Sequence, residues 1–490
     1  MNFRTSAYLN PIQVQSGLKY IVKEGVASEV MVSLTGGTFL IAMALHLGAS
    51  NFQIGLLASL PLLTNVFQLI SVYLVKRFEN RRAVVVITSF VARIALVIIG
   101  VMPFFFTGLG SVEVFIFLLS IHYLFGSISG GSWNSWMKDL VPGAVLGKYF
   151  SHRTRVMQIV GVGTNLLIAF LVDLLKDRYP ESVTTSYFIM VLVGSAVGML
   201  GVFWLSKAEE PKPKAAQGDF VKQLSKPLRD RNFRNLLVFN SFWAFALNLA
   251  VPFFTVFMMK TIGLSLTWIM SLAIIGQLSG IFSVKMWGRY ADRYSNKTII
   301  NICAPVYIMC ILAMSFAAAP ASQISSVLLL ILINVLSGVS TSGINLALNN
   351  IGMKLAPSED ATAYISAKNI IISLVSAVAP LIGGLTADFF TSHSLIWNIE
   401  WRSATQSTMA NLINLQGWNF LFIIGSILAL LSLRTLTRVR EDGEVQKERV
   451  VVYMRSRMRR NIAYSAKRTV NYKPVFLAEG LRKGFRYMFN

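Results

Sequence analysis

Apolar runs of about twenty residues recur along nearly the whole chain. That is the length a helix needs to cross roughly 30 Å of hydrocarbon. The pattern predicts spans near 27–49, 52–75, 83–106, 112–136, 147–172, 184–206, 235–259, 265–287, 298–318, 324–353, 361–390 and 418–437. Composition excludes the soluble alternative, because 54% hydrophobic against 14% charged residues leaves too little charge to cover a 490-residue globule. Prolines inside the spans (Pro61, Pro103, Pro252, Pro305, Pro380) are compatible with helices, since neighbouring helices satisfy the freed backbone groups. The expected fold class is an all-α membrane protein with twelve transmembrane helices.

Those helices divide into two pseudo-symmetric sets of six. Val72–Arg81 matches Gly288–Lys297 at an offset of 216 residues, and Asn134, Met137 and Lys138 match Asn350, Met353 and Lys354 at the same offset. One residue out of step, Pro142, Tyr149 and Ser151 match Pro357, Tyr364 and Ser366. A weaker match sets Gly48, Ser50 and Ile54 beside Gly263, Ser265 and Ile269. The expected division is a first bundle with its lead-in over 1–206, a linker over 207–234, a second bundle over 235–437 and a basic tail over 438–490. Paired repeats of this kind place a solute site where the halves meet.

Lys and Arg set the orientation. Thirty-nine of the 45 fall on the side that carries both termini, while Lys176, Arg178, Lys260 and Arg402 fall on the other. The positive-inside rule therefore places both termini in the cytoplasm and the chain in the cytoplasmic membrane. The formal charge of +23 expresses this asymmetry, so no nucleic-acid partner is expected. The polar N-terminus followed by a long apolar run does not read as a cleavable signal peptide. The basic, aromatic-containing tail reads equally as lying on the lipids of the anionic leaflet or as a solvated segment. Cys303 and Cys310 share one helix face but lie about 10 Å apart along its axis, too far for a disulfide.

The segment Gly288-x-x-Ala291-Asp292-Arg293-Tyr294-Ser295-Asn296-Lys297 resembles the signature between the second and third helices of each half in the major facilitator superfamily. Trp136–Pro142, continuing through Gly147–Arg153, resembles a recurring pattern in a bacterial branch of that family. The resemblance spans residues 12–437 and implies a transporter of the major facilitator fold. The first half departs from the signature, with Val72 in place of its glycine and Lys76 in place of its acidic residue. The fifth span has Gly161 and Gly163 but no proline, whereas Pro380, Gly383 and Gly384 appear in the eleventh. Both departures weigh against a drug/proton antiporter.

In this family the first helix of each three-helix unit is expected to line the central cavity. On the tenth span Asn334, Gly338, Ser342, Asn345 and Asn349 share a face. The matching face of the fourth carries His122, Gly126, Ser129 and Trp133. Helix packing through small and polar residues is the competing explanation. Arg93 lies about 13 Å into the third span, where a cation is expensive without a partner or water, so it reads as an anion site or half of an ion pair. His122 is a candidate proton acceptor. Trp243, Asn248 and Gln277 are candidate contacts by position. Glu24 and Glu29 read as proton-coupling groups or as helix-start residues. A charge pattern at the cytoplasmic ends predicts two latches between halves: Lys76 or Arg77 with Glu359 and Asp360, and Asp292, beside Arg293, with Arg153 and Arg155.

Metal-ligand clusters, nucleophile–base pairs and phosphate loops are not evident, so neither an enzyme nor a cofactor is expected. The expected activity is secondary transport of a small solute by alternating access, with proton coupling an option and a monomer as the functional unit. A sensor on the same fold, inactive in transport, and a lipid flippase are the rival readings.

Overall fold

The computed structural model describes residues 9–102, 111–142, 145–212, 220–318, 323–357, 361–402 and 407–441. Twelve helical spans in it are long and apolar enough to cross a membrane, and each overlaps one of the spans read from the sequence. In chain order the first half comprises α1 (Pro11–Thr35), α2 (Gly37–His46), α3 (Asn51–Thr64), α4 (Gln68–Phe78), α5 (Arg81–Val101), α6 (Ser111–Leu140), α7 (Leu146–Arg178) and α8 (Val183–Lys207). A linker helix α9 (Phe220–Arg229) follows. The second half comprises α10 (Arg231–Ala250), α11 (Phe254–Lys260), α12 (Leu266–Tyr294), α13 (Asn296–Met314), α14 (Gln323–Leu355), α15 (Ala361–Thr391) and α16 (Trp418–Leu436). The pairs α1–α2, α3–α4 and α10–α11 each make one span.

The first span begins well before the apolar run, at Pro11. Asn10 and Gln13 form a capping box there, and Pro11 is pre-set for the first helical turn. A second departure is not helical. Strands β1 (Ser394–Arg402) and β2 (Ser407–Gln416) form an antiparallel hairpin between α15 and α16, with Ser394 opposite Gln416 and a bulge between Trp397 and Asn398. Apolar run length leaves this stretch unassigned, because it is too polar to span.

Gly48 and Gly263 take positive φ, 85° and 73°, and reverse the chain before α3 and α12. Ser50 and Ser265 then cap those helices by accepting from the N–H groups of Gln53 and Trp268. This weakest of the sequence matches is thus a repeated helix start. Within the second half α12 and α14 cross closely through Gly276, Gly280 and Gly338, with a hydrogen bond of 2.7 Å between Ser283 and Ser342. Such small-residue seams substitute for a hydrophobic driving force between helices in lipid.

Candidate functional site

The charges that the sequence left without partners come together inside the first half. Arg93, on α5, is only 5% exposed. Its Nη2 donates to Ser28 Oγ at 2.9 Å and lies 3.7 Å from Glu24 Oε1, both on α1. Ser28 donates to the same Glu24 oxygen at 2.7 Å. The other Glu24 oxygen accepts from Arg153 Nη2, on α7, at 3.3 Å. One buried carboxylate therefore holds two arginines, which is what makes both tolerable at this depth. Glycines supply the room: a Cβ on Gly25 would lie 2.8 Å from Arg153 Nη2, and Gly198 and Gly201 flank the Arg93 side chain. The Arg153 guanidinium also sits 4.9 Å above the half-buried Trp133 ring, a cation–π distance. Glu29 reaches to Gly161 on α7 from one turn further along α1.

Other proposed cavity residues serve packing. His122 Nδ1 lies 2.9 Å from the Ala92 carbonyl, and Ser129 Oγ lies 2.7 Å from Ser89 Oγ, so both face α5. Trp243 is buried and stacks on Phe239. Asn248 and Asn334 each donate to the carbonyl four residues back in their own helix, at Ala244 and Leu330. Backbone polar groups and helix neighbours thus claim these side chains, as the packing explanation allows. Trp133 is half-buried, whereas Gln277, Asn345 and Asn349 are exposed. Gly126 and Gly130 on α6 face open space.

Of the two latches expected at the terminal face, the one between Asp292 and Arg153 or Arg155 is not made among the described residues. Lys76, Arg77, Arg155, Asp292 and Arg293 are exposed, and Arg153 is taken by Glu24 in its own half. Glu359 and Asp360 lie outside the described residues. Two unanticipated glutamates organise that face instead. Glu210 accepts from the backbone N–H groups of Arg81 and Arg82 at 2.7 and 3.0 Å, capping α5, while Arg81 also pairs with Asp139. Glu441 accepts in the same way from Asn296 and Lys297 at 3.3 and 2.8 Å, capping α13, and from Lys354 Nζ at 3.0 Å. Each glutamate stays within its own half.

Burial alone would raise the Glu441 carboxyl, but hydrogen bonds from Lys297, Asn296 and Lys354 outweigh it and hold the group below the ordinary carboxylate range. A carboxylate depressed on folding contributes stability that is present above its unfolded pKa and lost as pH falls through its folded pKa. Acidifying the detergent-solubilised protein from about pH 7 to about pH 3 should therefore lower its thermal midpoint, and Glu441→Gln should flatten that dependence. An unchanged acid limb in the variant would remove Glu441 from the account.

The halves meet across the end of the bundle remote from the termini, here the distal face. Asp388, on α15, accepts from Asn51 N at 3.3 Å and Phe52 N at 3.0 Å, at the start of α3. Asp173, on α7, accepts from Leu266 N at 3.1 Å and Thr267 N at 2.7 Å, at the start of α12. Gly55 and Gly384 let α3 and α15 touch backbone to backbone, and this contact runs down to a hydrogen bond of 3.2 Å between Asn65 and Ser373. Beyond it α4 leaves Val72, Tyr73, Lys76, Arg77 and Phe78 exposed.

Twelve helices long and apolar enough to cross a membrane, among the described residues, define a multi-pass membrane protein. The chain belongs to the major facilitator superfamily, whose family model matches residues 26–380. Among solved structures it resembles a point mutant of the nucleoside transporter NupG at a TM-score of 0.63 and 12% identity, covering 87% of this chain and 100% of that one. It also resembles a bacterial homolog of the human lysosomal transporter Spinster in an inward-facing, unoccupied conformation (TM-score 0.58, 14% identity, 89% and 100% covered). A D-xylose–proton symporter gives a TM-score of 0.58 at 14% identity, with 89% and 98% covered. At these identities the likeness concerns the fold. No curated protein matches the chain.

Proposed function

We propose that the protein is a secondary transporter that moves a small solute across the cytoplasmic membrane by alternating access, with its terminal face in the cytoplasm. The observation that carries this reading is the one-sided closure. The halves are joined from the distal face to mid-depth, while α4 leaves Val72, Tyr73, Lys76, Arg77 and Phe78 exposed at the terminal face. This one-sided closure supports reading the structure as the state open at the terminal face. The basic asymmetry of the sequence supports the same orientation.

The solute path in this reading runs past Trp133 and Arg153 on the first half and Asn345 and Asn349 on the second. Trp133 offers a ring face, and Arg153 is the charge of the Glu24 cluster with the most exposed side chain of the three, at 14%. Glu29, on the same side of α1, is the candidate for proton coupling. A thermal-shift panel of sugars, organic acids, amino acids and nucleosides, followed by counterflow in proteoliposomes, tests the reading. A ligand that raises the midpoint and exchanges across the bilayer is expected, and binding without exchange would favour the sensor reading. With that ligand, Arg153→Ala should lower transport by about tenfold or more while protein is retained in the membrane. Unchanged counterflow would take Arg153 out of the path.

A further inference from the structure

The distal carboxylates are related by the repeat. Asp173 and Asp388 are 215 residues apart, and so are the residues they cap, Leu266 and Asn51, and Thr267 and Phe52. In each case both carboxylate oxygens are used, one for each of two successive backbone N–H groups. In each case donor and acceptor belong to opposite halves. A helix start carries roughly half a positive charge and unpaired N–H groups, so an ionised carboxylate placed there forms a charge-assisted, two-pronged contact. Among the described residues neither aspartate has a Lys or Arg within ion-pair distance, so the helix starts are their counter-charges.

The terminal face has been wired differently. Glu210 and Glu441 also cap helix starts with two N–H groups each, but within one half, so those contacts persist whichever face is open. Only the distal contacts must break when the halves part on that side. We infer that Asp173 and Asp388 are the distal gate of this transporter: twin clasps, each reaching from one half to the start of the second span of the other. They make the terminal-open state the resting state. This inference rests on the alternating-access reading, but the experiment below reads the gate without requiring transport.

Asparagine is the informative substitution. It keeps the shape and one acceptor, loses the charge, and turns an N–H donor toward a backbone N–H. The only two cysteines, Cys303 and Cys310, are buried and can be replaced by alanine to give a silent background. A reporter cysteine at Ser59, fully buried one turn beyond Gly55 on α3, is then labelled in proteoliposomes with a membrane-impermeant maleimide. A control cysteine at Ser195, equally buried on α8 within the first half, reports general loosening.

Asp173→Asn and Asp388→Asn should each speed labelling at position 59 by about tenfold. The double variant should speed it further, and labelling at position 195 should not change. Asp173→Glu and Asp388→Glu, which keep the charge, should recover part of the slow rate. Wild-type labelling at position 59 in the double variant would overturn the inference. So would equal acceleration at position 195, which would mark the clasps as ordinary structural caps. Clasp-dependent labelling in a protein that exchanges no solute would leave the gate standing and count against the transport reading alone.

Discussion

Glu24→Ala should be among the most damaging single substitutions in the chain, costing about 3–5 kcal/mol of stability. The side chain does little by bulk. Its carboxylate is the anion shared by the buried Arg93 and the half-buried Arg153, and both would lose their counter-charge without it. Desolvating a cation whose partner has been deleted costs far more than the pair contributed while intact. The sign of the double variant makes this specific. Adding Arg93→Met to Glu24→Ala removes one of the orphaned charges and fills its slot between Gly198 and Gly201 with an apolar chain. The double variant should therefore be more stable than Glu24→Ala alone, measured as thermal midpoint and yield after detergent extraction. A double variant worse than both singles would show that the cluster is not held together by charge balance.

Gly338→Ala should cost as much by a different route. A Cβ there would overlap the Gly276 carbonyl, which belongs to the backbone of the neighbouring helix and cannot rotate away. The second half must then separate α12 from α14, and the Ser283–Ser342 hydrogen bond goes with that seam. Overpacking of a tight core costs about 1–3 kcal/mol, and an unyielding backbone contact lies at or above the top of that range. Gly384→Ala is the instructive contrast. Its Cβ would lie 2.5 Å from the Asn51 carbonyl, again a backbone clash, but that carbonyl belongs to the opposite half. The halves can relieve the clash by parting at the distal face. Gly338→Ala should therefore lower extracted yield, whereas Gly384→Ala should leave yield near normal and raise labelling at position 59. Equal loss of yield in both variants would mean that the halves do not move as units.

Run lengths and the 216-residue repeat are enough to read the twelve spans, because a bilayer makes apolar length a hard constraint. The site is less legible. The aligned polar residues of α6 and α14 share faces as expected, but His122, Ser129 and Ser342 turn those faces toward neighbouring helices. Periodicity gives the face and not what the face meets. Arg93 is as expensive as its depth implies, yet its partner Glu24 lies 69 residues away, where it reads as an ordinary helix-start residue. The expected latches lie where charge is dense. Density marks the face that carries the termini, whereas the charged contacts between halves at the distal face rest on two isolated aspartates paired with backbone. A signal for them exists: the match of Gly48 and Ser50 with Gly263 and Ser265 is the repeated helix start that receives each clasp.

The span formed by α3 and α4 is not one rod. A single 3-10 turn, Asn65–Phe67, interrupts it at the depth where its contact with α15 ends. The fourteen residues of α3 give an arm of about 21 Å on the distal side, and the eleven of α4 about 16 Å on the other. The equivalent span of the other half, α12, runs unbroken for 29 residues. A lever pivoted at Asn65 moves its shorter end about three-quarters as far as its longer one, and a joint at the pivot lets the ends turn by unequal angles. The two mouths of this protein therefore need not be mirror images in width, even though the chain that frames them is written twice.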